Sequence, residues 1–107
     1  MRCLLKISIP VEVGNARIKD GTLPKTIQSI LQDQKPEAAY FAEDSGRRTG
    51  FVFVNVPEPS DIPRLAEPWF LAFDASVEFH PAMTVEDLVK AGPAIEAAAH
   101  KYGAVVF

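Results

Sequence analysis

The chain has 107 residues, a formal net charge of −3, 48% apolar residues and 23% charged ones. This suits one domain with one modest core, burying roughly 65% of the unfolded surface. The acidic balance and the scattered Lys and Arg speak against a nucleic-acid binder, which needs a dense basic footprint.

Cys3 is the single cysteine, so no intramolecular disulfide and no Cys/His metal spacing is available. A reducing, cytoplasmic setting is expected. The N-terminal apolar run is short and interrupted by Lys6, so it reads neither as a signal peptide nor as a membrane span.

"CLLKISI" opens the chain as a strand. Cys3, Leu5, Ile7 and Ile9 alternate with Leu4, Lys6 and Ser8, and Pro10 ends it. "VEVGNARIKDG" reads as a connection with turn residues Gly14, Asn15, Asp20 and Gly21, with room for a short helical turn. "TLPKTIQSILQDQK" is a helix capped by Thr22, with Pro24 in its first turn and Pro36 as its stop. Its apolar face is Leu23, Ile27, Ile30 and Leu31.

"EAAYFAE" and "GFVFVNV" flank "DSGRRT", a hairpin whose loop holds Arg47 and Arg48. "PEPSDIPRLAEPWFLAF" is a second helix, capped by Ser60. Its stripe is Ile62, Leu65, Ala66, Trp69 and Phe70, and Pro68 is expected to kink or shorten it. "DASVEFH" is the fourth strand. "TVEDLVKAGPAIEAAAHKYG" is helical, with Thr84 and Asp87 as a capping box, and Gly92-Pro93 can split it into two short helices. The tail "AVVF" is apolar enough to dock on the body or on another subunit.

The resulting order β-α-β-β-α-β plus a helix predicts an α+β, ferredoxin-like βαββαβ sandwich in a single domain over residues 1–107. Right-handed crossovers put the helices on one face of an antiparallel sheet. The strands are apolar on both sides in places: Phe51 and Phe53 oppose Val52, Val54 and Val56, and Tyr40 opposes Phe41. The second face therefore needs cover, and a sheet-to-sheet homodimer is expected.

The whole chain resembles the dimeric α+β barrel superfamily of small bacterial ferredoxin-like proteins. "GNARIKDGTLPKTIQSIL", "KPEAAYF" and "IPRLAEPWFLAFDASVEFHPAMTVEDL" carry the resemblance. They look most like an uncharacterised bacterial group within it. Relatives by fold include muconolactone isomerase-like proteins, cofactor-free antibiotic-biosynthesis monooxygenases and haem-degrading monooxygenases. The resemblance implies a cavity between helices and sheet or inside the dimer barrel. Haem-degrading relatives use an Asn, a Trp and a His. Here Trp69 falls on the second helix rather than the third strand, and His80 on the fourth strand rather than the second helix. No residue is carried over from that group, and no cofactor is expected, since a shared fold does not transfer chemistry.

The candidate chemistry lies on the polar side of the strands. With strands ordered 4-1-3-2, Lys6 and Ser8 share a face with Ser76, Glu78 and His80, and Tyr40 can join from the second strand. Lys6 suits an anion, and His80 can move a proton, as an imidazole's unperturbed pKa lies near neutrality. Glu78 can orient His80 or act as a base. The competing explanation is a Lys6–Glu78 cross-strand ion pair with His80 at a strand end. Trp69 is a core residue or a ligand wall. His100, in the last helical turns, is expected at the surface. No phosphate-loop, Gly-x-Ser-x-Gly or His-Glu-x-x-His pattern is present, and no metal ligand set is expected.

These residues predict a homodimer that binds a small organic acid or enolisable compound, as a cofactor-independent isomerase or monooxygenase would. The alternative is a non-catalytic structural protein whose sheet face serves only dimerisation. Neither nucleic acid nor membrane is an expected partner.

Overall fold

The structure is a computed structural model describing residues 1–103. The predicted docking of the "AVVF" tail lies outside the described residues. The fold is mixed α and β, with four strands in one antiparallel sheet.

Strand β1 (Arg2–Ser8) alternates buried and half-buried positions, as a sheet covered on one side requires. Pro10 follows and introduces helix α1 (Val11–Lys19). This corrects the expected connection, because "VEVGNARIK" forms nine residues of helix. Glu12 near its start and Arg17 and Lys19 near its end complement the helix dipole. Gly14 is not a turn residue. It is buried in α1, and a Cβ there would stand 2.7 Å from Nη1 of Arg48, so the missing side chain makes room for the arginine. The real turn is Gly21, at φ 77°.

Helix α2 (Leu23–Gln34) carries Pro24 in its first turn as expected. Thr22 does not cap it; its hydroxyl donates to Asp20 Oδ1 at 2.6 Å instead. Lys35 closes α2 in the left-handed region at φ 48°, returning its N–H to Leu31 O. Strands β2 (Ala38–Asp44) and β3 (Arg47–Asn55) form the hairpin. Its loop is only Ser45-Gly46, both at positive φ, as a type I′ turn demands. Arg47 and Arg48 are thus strand residues, not loop residues as expected.

A 3-10 turn (Pro59–Asp61) leads into helix α3 (Ile62–Phe73). Glu58 and Asp61 form the cap there; Ser60 does not. Pro68 does not shorten α3, which runs to Phe73. Its buried stripe is Leu65, Ala66, Trp69 and Phe73, whereas Ile62 and Phe70 reach solvent. Pro68 lacks the N–H that Arg64 O would accept in a regular helix. Gln34, from α2, sits beside that gap. Its Nε2 donates to Leu65 O at 2.9 Å and lies 3.5 Å from Arg64 O, while its Oε1 accepts from Trp69 Nε1 at 3.2 Å. The buried polar pair is thereby satisfied.

Strand β4 (Ser76–Pro81) completes the sheet. Thr84 and Asp87 form both bonds of the expected capping box, at 3.1 and 3.0 Å, opening α4 (Val85–Lys90). The chain breaks at Ala91 and continues as α5 (Gly92–Tyr102). The two short helices around Gly92-Pro93 match the sequence reading.

Strand order across the sheet is β2-β3-β1-β4. Cys3, Leu5, Ile7, Val52 and Val54 face Leu23, Ile30, Leu65, Trp69 and Phe73 in the core. The opposite face carries Leu4, Lys6, Phe51, Phe53 and Tyr40, half-buried or exposed. No helix among the described residues is long and apolar enough to cross a membrane.

Candidate functional site

Register places the polar residues in rows across the open face. One row runs Tyr40, Phe51, Lys6, Glu78; the next equivalent row runs Ala42, Thr49, Ser8, Ser76; on the other side lies Ala38, Phe53, Leu4, His80. Directly paired residues share a face, so Lys6, Ser8, Ser76, Glu78 and His80 do lie together.

Lys6, Ser8, Ser76 and Glu78 line one depression of about 320 Å³. The hairpin end supplies the rest of its wall, chiefly Asp44, Ser45 and Arg47, with buried Thr49 beside Ser8. Tyr40 is in the Lys6 row but two strands away, 68% exposed and outside the depression. Trp69 is wholly buried under the other face and is held by Gln34, far from this cluster in the layering of the fold.

The expected Lys6–Glu78 pair does not form, although the two residues are cross-strand partners. Lys6 Nζ turns to Asp44 Oδ2 at 2.5 Å. Glu78 Oε1 instead meets His80 Nε2 at 3.3 Å, with both side chains more than half exposed. Residues of one strand two apart point the same way, which lets this contact form. Arg47 adds a second cation and makes no ion pair among the described residues.

The hydrogen bond and charge of Lys6 hold the Asp44 carboxyl below its usual value of 3.8. Asp44 in turn raises the Lys6 ammonium above 10.5, with a smaller push from Glu78. A depressed carboxyl contributes stability above its unfolded pKa and loses it as pH falls through the folded one. Asp44→Asn is therefore expected to unfold earlier than the parent in urea at neutral pH. The difference should shrink as pH falls below 3.8 and vanish only once pH has passed through the lowered folded value, where the parent's carboxylate becomes protonated. The pair is solvent-accessible, so added salt should narrow the neutral-pH difference as well.

Asp44 and Arg47 were not among the sequence candidates. The available signal was Ser45-Gly46 between two alternating runs, which marks a two-residue hairpin and pulls both residues into the strands. Ser at a left-handed position obscured it, since Asn or Asp is the usual residue there.

A second depression, also of about 320 Å³, lies between α2 and the hairpin on the helix side, walled by Ile9, Leu23, Ile27 and Phe41. Its surface is mostly apolar, with Glu43, Arg48 and Thr49 also in its wall, and it holds none of the polar candidates Lys6, Ser8, Ser76, Glu78 and His80.

Comparison with protein-family models, with curated proteins and with solved structures returned no match.

Proposed function

We propose that the chain is a ferredoxin-like, dimeric α+β barrel protein that pairs sheet to sheet and binds a small organic acid in the polar depression of the open face. One observation carries this reading: four polar residues from β1 and β4 line a single depression on a face otherwise rich in Leu4, Phe51, Phe53 and Tyr40. The strand order and the two-sided apolar strands support the ferredoxin-like assignment. Cover by a second copy would exclude water and strengthen every charge interaction within.

In this reading Arg47 and Lys6 hold the carboxylate, and Ser8, Ser45 and Ser76 offer hydroxyl groups. Glu78 faces the depression and takes a proton from carbon next to a carbonyl. His80, in contact with Glu78, relays it. The reaction class is that of a cofactor-independent isomerase or monooxygenase acting on an enolisable acid.

The test is exchange of the carbon-bound protons of oxaloacetate and phenylpyruvate in heavy water, followed by proton NMR. The protein is expected to accelerate exchange over buffer. Glu78→Gln or His80→Ala should lower that acceleration by roughly a hundredfold, and Lys6→Met should weaken saturation. Exchange at the buffer rate, with no binding of either acid by calorimetry, would overturn the ligand reading and leave a face used only for dimerisation.

A further inference from the structure

We propose that α4 and α5 form an arm that a second copy of this chain receives, so that two copies exchange arms; the inference rests on the homodimer reading. The body is not where this arm packs. The radius of gyration is 18.1 Å and the long axis 59 Å, against 32 and 22 Å for the others. A compact chain of this length has a radius of gyration of about 13 Å. Neither α4 nor α5 contains a buried residue.

The arm nevertheless has the pattern of a packed helix pair. Val85, Leu88 and Val89 fall at i, i+3 and i+4 on α4, and Ile95, Ala99 and Tyr102 at i, i+4 and i+7 on α5. The large ones are 49 to 74% exposed. Glu86, Asp87, Lys90, Glu96 and Lys101 take other positions. Helices of 6 and 11 residues do not hold themselves together in water. Their stripe needs a surface, and the Thr84–Asp87 box fixes where the arm leaves the sheet, with Asp87 near enough to Arg2 to feel its charge.

Area selects a second copy as that surface. Four strands at about 4.8 Å spacing and about 3.3 Å per residue give a face of roughly 400 Å². That is about half of the roughly 800 Å² per partner in a stable pair. An arm rising 1.5 Å per residue offers a strip of roughly 25 by 10 Å. Exchange buries that strip on the arm and again on the surface receiving it, in both copies, which brings the interface to the standard size.

The experiment uses the full chain carrying Leu88→Lys and Ile95→Lys, two exposed positions, with mass read by light scattering. The parent should be a dimer, and the variant should dissociate at concentrations at least tenfold higher, with an unchanged circular dichroism spectrum for the sheet. A second measurement does not depend on that variant. Unlabelled Cys3→Ala/Lys90→Cys protein, with a nitroxide at position 90 off the apolar stripe, is mixed with ¹⁵N-labelled parent. Exchange predicts broadening of sheet amides in the labelled copy. A dimer with unaltered dissociation in the lysine variant and no intermolecular broadening would overturn the arm proposal while the homodimer stands. A monomeric parent would overturn both.

Discussion

Trp69→Ala is expected to cost about 3–5 kcal/mol, and to leave the chain largely unfolded at moderate denaturant. Trp69 is the largest wholly buried side chain, stacked near Phe73 with ring centroids 6.2 Å apart. Domains of this size hold only about 5–15 kcal/mol in total, so this one cavity consumes a large share. The hydrogen-bond part can be separated. Gln34→Ala removes the acceptor for Trp69 Nε1 and the donor to Leu65 O, and should cost about 1–3 kcal/mol beyond the lost side-chain packing. Combined with Trp69→Phe, its cost should fall short of the sum of the two single changes, since both delete one shared bond. Denaturant midpoints followed by circular dichroism measure all three. Strict additivity would mean that the Trp69–Gln34 contact contributes nothing.

For the proposed sheet-to-sheet homodimer, Phe51→Lys together with Phe53→Lys should raise the dissociation constant at least a hundredfold, about 3 kcal/mol. Both rings lie on the open face, away from the core, and are only half-buried in one copy. Burial of an aromatic ring is worth about 1.5–3 kcal/mol, and two lysines in its place add like charges across a two-fold contact. The monomer should stay folded, because Leu5, Val52 and Trp69 on the covered face are untouched. Sedimentation across a concentration series reads the effect. Unchanged dissociation would show that the open sheet face is not the contact.

The elements legible in the sequence were those with a single dominant periodicity. β1, β4 and α2 follow from alternation or from the i, i+4, i+7 pattern, and the Thr84–Asp87 box follows from its spacing. The shared face of Lys6, Ser8, Ser76, Glu78 and His80 was also legible, because strand alternation and neighbouring strands are enough to place Cβ atoms. Helix α1 was not legible. Its Gly14-Asn15 pair imitates a turn, and only the approach of Arg48 explains a glycine inside a helix.

Composition and pattern by themselves determined the mixed α and β class, the apolar sets of the strands and the polar face. Tertiary structure alone decided the pairing on that face. Lys6 chose Asp44 over Glu78 because a two-residue turn, costing two residues at positive φ, carries the hairpin end across the sheet to meet it. It also decided that Gln34 belongs to the core and that Pro68 is tolerated, since the partner for a helix's broken bond came from another helix 30 residues earlier. Side-chain periodicity reports which face a residue occupies; long-range approach, set by turn geometry and packing, determines what it touches.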